Sequence, residues 1–253
     1  MTLYLIGIGL SDAQDITLKG LETIRKCHSV YLEGYTSLMS CSIDELEKVY
    51  GKKIVFLKRE DVENEREKIT LEARTHDVAL LIIGDVFSAT THADIILDSR
   101  KKNVSVKVIF NASIMTAIGI TGLQLYTFGK TVSIPYPSKG FAPDSFFEGF
   151  LENKQRGLHT LFLLDIKADE GRYMSVPEAI ALMIAAAEKR KNNGFTKQTL
   201  CVGCARLGCG DMLIRSGTAE ELRGMDFGKP PHCLIVPGDL HFIEEEMLEI
   251  WKG

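Results

Sequence analysis

Three places in the chain put chemically useful residues where an apolar run ends. Gly7-Ile8-Gly9 follows the first run, so the backbone there must turn tightly or approach a ligand closely at a strand's carboxyl edge. Asp12 stands where the third glycine of a dinucleotide fingerprint belongs, which disfavours a nicotinamide dehydrogenase. Gly84-Asp85 ends a second run, and a carboxylate there is suited to accept from a hydroxyl or amino group of a ligand; a turn into the following helix is the competing reading. Asn111-Ala112-Ser113-Ile114 follows a third, where amides and the Ser113 hydroxyl suit a carboxylate or another polar group, or simply cap a helix.

Other candidates carry less. Cys201-x-x-Cys204 with Cys209 has the look of a zinc motif, but two residues three apart in a strand face opposite sides of the sheet, so buried thiols are expected and no metal is assigned. His232 follows Pro230-Pro231 and is held rigidly, either in packing or against a ligand. His28, His76, His92, His159 and His241 show no partner pattern for metal binding or for a Ser-His-Asp set. They receive no chemistry, and no catalytic residue is named.

The elements that must position these residues alternate between strand and helix, which predicts α/β architecture with mainly parallel or mixed sheets. Strands are expected at Leu3 to Ile8, Val30 to Leu32, Ile54 to Leu57, Val78 to Ile83 and Val104 to Phe110. Thr17 caps one helix, and Ser42 with Glu45 forms a capping box for the next. Asp61 to Arg74 reads as a charged helix, and Thr90 or Thr91 starts another through Ile95. Ala112 to Tyr126 reads as a helix of small residues leading into a second domain, so the boundaries are 1–111 and 112–253. Pro135, Pro137, Gly140 and Pro143 mark an irregular loop suited to face a substrate. Strands at Leu158 to Leu164, Leu200 to Ala205, Met212 to Arg215 and Cys233 to Val236 follow, with helices at Val176 to Lys189 and Ile243 to Trp251.

The 253 residues are 45% hydrophobic with a net charge of −4, enough for two modest cores and without the basic stripe that nucleic acid demands. Apolar Met1 to Leu10 lacks a basic flank and a cleavage site, and no apolar run approaches the ~18 residues of a membrane span. Six cysteines without secretory signals point to a reducing, cytoplasmic setting.

Together these segments resemble the diphthine synthase family within the tetrapyrrole-methylase-like methyltransferases. The likeness rests on Leu3 to Leu10 (LYLIGIGL), Tyr31 to Ser37 (YLEGYTS), Gly84 to Ile95 (GDVFSATTHADI), Asn111 to Ile134, His159 to Lys167 (HTLFLLDIK), Arg172 to Ser175 (RYMS), Cys201 to Gly208 (CVGCARLG) and Pro230 to Gly238 (PPHCLIVPG). Val86 departs from the proline that usually follows Gly-Asp, and only Ala168 to Gly171 separates LLDIK from RYMS, where many eukaryotic relatives carry an insertion. The resemblance implies two α/β domains with S-adenosylmethionine in the cleft between them, S-adenosylhomocysteine as product, and a homodimer. It implies cofactor contacts at Leu10, Asp85, Ser88, Ser113, Ile114, Leu164, Leu207 and His232. The acceptor it implies is the 3-carboxy-3-aminopropyl histidine of translation elongation factor 2, methylated repeatedly on nitrogen and, in eukaryotic relatives, also on the carboxylate. A tetrapyrrole methyltransferase and a non-catalytic elongation-factor-binding protein are the alternatives.

Overall fold

The structure, a computed structural model, describes residues 1–34, 37–57, 62–138 and 143–253, and of residues 62–65 and 169 the backbone alone. Asp61 of the expected charged helix, Tyr35 and Thr36 of the YLEGYTS segment, and Gly140 of the expected loop lie outside the described residues. The chain forms two compact units, Met1–Ala117 and Ile118–Gly253.

The first unit is a parallel sheet of β1 (Thr2–Gly7), β2 (Ser29–Glu33), β3 (Val55–Leu57), β4 (Val78–Ile82) and β5 (Ser105–Ile109), in the order β3-β2-β4-β1-β5. Its helices are α1 (Leu18–Lys26), α2 (Ile43–Tyr50), α3 (Val62–Glu72), α4 (Ala93–Lys101) and the single turn α5 (Ile114–Ala117). Alternate residues of one strand enter different cores. Leu3 and Leu5 pack with Val78, Leu80 and Ile82, while Ile6 and Ile8 pack with Ala79 and Leu81. Burial of both faces is why these strands are continuous apolar runs rather than alternating ones. Thr17 caps α1, and Ser42 with Glu45 closes the capping box of α2.

The second unit holds a mixed sheet in the order β11-β10-β12-β7-β6, from β6 (Val132–Ile134), β7 (Thr160–Leu164), β10 (Leu200–Ala205), β11 (Leu213–Thr218) and β12 (His232–Val236). The short pair β8 (Ile166–Lys167) and β9 (Arg172–Tyr173) forms a separate ribbon. Helices α6 (Ser145–Gln155), α7 (Val176–Lys189), α8 (Ala219–Arg223) and α9 (Phe242–Ile250) complete it. Phe150 centres an aromatic core, with ring centroids 5.6 Å from Phe147, 6.0 Å from Phe195 and 6.1 Å from Phe162.

Two sequence expectations fail here. The helix expected over Ala112 to Tyr126 is only α5, followed by 3-10 turns at Ile118–Thr121 and Leu125–Thr127. Gly122 takes a positive φ of 91°, and a Cβ there would strike Met247 at 2.3 Å, so the chain must break. Helix α4 begins at Ala93 rather than at the threonines, with His92 as an N-cap that makes no capping hydrogen bond. Among the described residues, no helix is long and apolar enough to cross a membrane.

Candidate functional site

Residues at the carboxyl ends of β1, β4 and β5 are tied into one edge of the first sheet. Gly9 and Gly84, with φ of 87° and 79°, exchange backbone hydrogen bonds: Gly9 N–H donates to the Gly84 carbonyl at 3.2 Å, and Gly84 N–H to that of Gly9 at 2.7 Å. Neither conformation suits a side chain. A Cβ on Gly7 would lie 2.7 Å from the Gly84 carbonyl oxygen and 3.0 Å from Cβ of Asn111, so the glycine is required by how closely the loops approach.

Side chains complete the clamp. Asp85 Oδ1 accepts from Phe87 N–H at 3.1 Å and Ser88 Oγ at 3.4 Å, and Oδ2 accepts from Asn111 N–H at 3.0 Å. The Asn111 amide group donates to the carbonyls of Gly7 and Asp15, both at 3.0 Å. Asp15 Oδ2 accepts from the amides of Leu10 and Ser11 at 3.0 and 2.7 Å. The Leu10 amide is therefore already satisfied, and what Leu10 has left to offer a ligand is its carbonyl and its half-buried side chain. Asp85, also half-buried, keeps lone-pair capacity on Oδ2. Ser113 is buried, Ile114 half-buried, and the Ser113 carbonyl receives the amides of Thr116 and Ala117. Thus Leu10, Asp85, Ser88 and Ser113 lie on loops leaving neighbouring strands of one sheet edge, and Ile114 opens α5 directly after the last of them.

Leu164, Leu207 and His232 form the corresponding group in the second unit. Ala205 at the end of β10 pairs with His232 at the start of β12, and Cys233 pairs with Leu163, which brings His232 beside Leu164 at the end of β7. Leu207 follows β10 and is buried. Arg206 holds this corner: its backbone has a φ of 51°, its N–H reaches the Pro231 carbonyl at 2.9 Å, and its guanidinium bonds Asp211 and the carbonyls of Phe227 and Lys229. His232 Nε2 donates to the Lys229 carbonyl at 3.0 Å, while the buried Nδ1 has no hydrogen-bond partner. Burial, aided by the Arg206 charge, pulls the ring's pKa below the ordinary histidine range. The ring is neutral at neutral pH, and Nδ1 is a bare acceptor facing no protein donor.

Sequence reasoning overlooked Asn111, Asp15 and Arg206 as clamps. The Asp15 contact is local and legible, an acid that follows a glycine turn by a few residues. Asn111 stands where an apolar run stops, but the groups it bonds lie 104 and 96 residues away and nothing local points to them. Among the described residues, no group of three or more His, Cys, Asp or Glu is arranged to hold a metal. Cys201 packs in the aromatic core, and Cys204 lies opposite Cys233 in the sheet.

A family model described as tetrapyrrole (corrin/porphyrin) methylases matches residues 2–223. The chain belongs to this family. It is a methyltransferase, and its full-length relatives set it among the diphthine synthases. It is 45% identical to the diphthine methyl ester synthase of Homo sapiens, over 99% of this chain and 95% of that one. The Dictyostelium discoideum diphthine methyl ester synthase is 44% identical, over 100% of this chain and 98% of the other. A crystal structure of a diphthine synthase superposes with a TM-score of 0.90 at 35% identity, covering 100% of this chain and 96% of that chain.

Proposed function

We propose that the chain transfers methyl groups from S-adenosylmethionine to the 3-carboxy-3-aminopropyl histidine of translation elongation factor 2, giving diphthine and then its methyl ester. The observation that carries this reading is the end-to-end similarity to diphthine methyl ester synthases. On the same reading the protein acts in the cytoplasm as a homodimer.

The residues fit a donor that is polar at both ends. Asp85, with lone-pair capacity to spare, suits a donor hydroxyl or amino group; Ser88 adds a hydroxyl beside it, and Ser113 another on the loop from β5. Gly7 and Gly9 let the strand-end loops close on one another, since a Cβ on either would strike protein, and Gly84 turns the chain at a positive φ. Leu10 and Ile114 are the apolar members of that group. Leu164, Leu207 and His232 are proposed as further donor contacts, with the bare Nδ1 of His232 as an acceptor for a ligand N–H or O–H.

S-adenosylmethionine supplies an electrophilic methyl on a sulfonium, so no covalent nucleophile is required of the protein. The chain's own task is alignment and exclusion of water, and alignment alone is worth roughly 7 to 11 kcal/mol of barrier. Each N-methylation consumes an unprotonated amine; the first two leave an ammonium that must lose a proton before the next transfer, and the third leaves a quaternary ammonium with none to lose. The ester step differs, because a carboxylate is already ionised at neutral pH and needs no base.

Labelled S-adenosylmethionine offered with elongation factor 2 bearing the aminocarboxypropyl histidine, and separately with a porphyrin or corrin precursor, tests the proposal. Label on the factor is the expected result. Label confined to the tetrapyrrole, or none on either acceptor, would overturn it.

A further inference from the structure

The loop that carries Asp85 and Ser88 is anchored from behind by a buried ionic cluster that the strand-end clamp does not include. His92 is 1% exposed and Glu33, the last residue of β2, is 3% exposed. His92 Nδ1 lies 2.7 Å from the Val86 carbonyl, and Nε2 lies 3.0 and 3.1 Å from the two carboxylate oxygens of Glu33. A carbonyl only accepts, so Nδ1 must carry a proton. Nε2 faces a carboxylate, and Arg66 Nη2, 3.5 Å from Glu33 Oε2, favours the ionised form of that acid. The arrangement is therefore an imidazolium with a proton on each nitrogen.

Among the described residues, the charged groups facing the ring are Glu33 from β2 and Arg66 from α3, and Arg66 also holds Asp94 of α4 at 3.2 Å. Burial opposes a charge on His92, but the hydrogen bond and charge of Glu33, with the Val86 carbonyl, outweigh it and raise the ring's pKa above the ordinary range. The ring also explains the missing cap on α4, since its imidazole is turned inward instead.

What the ring holds matters for the site. Val86 follows Asp85 directly and its side chain is fully buried; its carbonyl receives Thr90 Oγ1 at 2.9 Å as well as His92. Between them the chain passes through Ala89 at a φ of 57°, a conformation a non-glycine residue keeps only when its surroundings enforce it. We propose that His92 is the positioning residue of this loop: charged against Glu33, it fixes the Val86 carbonyl and so aims Asp85 and Ser88 at the methyl donor. This inference rests on the donor reading given above.

The sign of the pH effect follows. A raised folded-state pKa means the anchor is complete below the unfolded histidine range and is lost as pH rises through the higher folded value. Donor affinity should fall on the alkaline side.

The test uses the full chain and S-adenosylhomocysteine as probe. Nitrogen-15 NMR should find both ring nitrogens of His92 protonated at neutral pH; a ring with one bare nitrogen would overturn the proposal. Calorimetry should find wild-type affinity falling as pH rises through the His92 transition. Glu33→Gln keeps the size and hydrogen bonds, its amide donating to a neutral ring, and should flatten that dependence. His92→Gln leaves the Val86 carbonyl a donor short and should weaken binding about tenfold at neutral pH. His92→Asn, which keeps a donor near the Nδ1 position, should recover part of the loss. Equal affinity in wild type and His92→Gln would sink this inference alone. A wild-type protein that bound neither S-adenosylmethionine nor S-adenosylhomocysteine would sink the donor reading, and this one with it.

Discussion

Replacing Asp85 with Asn keeps the shape of the side chain and removes what the strand-end clamp depends on. The carboxylate receives three donors on two oxygens, Phe87 N–H and Ser88 Oγ on one and Asn111 N–H on the other. Asparagine has one oxygen, so whichever way the amide turns, its NH2 confronts a backbone N–H. A hydrogen bond to a charged group contributes about 1.5 to 3 kcal/mol, and partial exposure on the Phe87 side favours the lower half of that range. We expect a loss of about 2 kcal/mol, which lowers the melting temperature by roughly 4 to 8 °C for a chain of this size. Binding should suffer as well, because the side chain at 85 gives up its hold either on its own loop or on the end of β5. Differential scanning calorimetry reads the first effect and titration with S-adenosylhomocysteine the second. A variant with unchanged melting temperature and unchanged affinity would refute the clamp and the donor role together.

Further predictions come from other contacts. Gly9→Ala puts a Cβ 2.3 Å from Cβ of Asp15 at a positive φ, so it should dislodge Asp15 from the Leu10 and Ser11 amides and destabilise the protein by about 2 kcal/mol or more, measurable by urea unfolding. Buried Glu244 accepts from Gln124 N–H at 2.8 Å, His241 N–H at 2.8 Å and His159 Nε2 at 3.0 Å. Burial works to raise its pKa, but these bonds outweigh it and lower the value. Its contribution to stability is therefore present above the usual glutamate range and lost as pH falls through the folded value; Glu244→Gln should destabilise by about 2 kcal/mol and flatten that acid limb in unfolding curves. Cys201 is fully buried, which raises its thiol pKa, whereas Cys41 is only half-buried. A thiol reagent should label Cys41 first in the native protein and Cys201 only on unfolding.

The first unit was largely readable because its physics is local. Strands buried on both faces appear as uninterrupted apolar runs, and Val78 to Ile82 needs no partner information to be recognised. The helix Val176–Lys189 is equally plain, opening on Ser175, Pro177 and Glu178. Helix α6 was missed for an opposite reason. Its N-cap, Asp144, makes no capping bond and is held by Lys189 and Arg190, and Gly149 interrupts its middle because Val132 packs 3.0 Å from where a Cβ would be. Both features look unhelical until the packing is known.

The same division holds at the candidate site. That strand ends carry its polar groups follows from α/β geometry, and Gly7, Gly84-Asp85 and Asn111 could be found from where apolar runs stop. Which of these groups bind one another could not. His92 drew no chemical reading from sequence, since its partner Glu33 lies 59 residues earlier and its role depends on a proton shared inside the fold.

A crystal structure of the protein grown with S-adenosylhomocysteine tests the central claim most directly. The account predicts the ligand against the loops that leave β1, β4 and β5, with a polar group of the ligand hydrogen-bonded to Asp85. Well-defined density for the ligand away from those loops would contradict it.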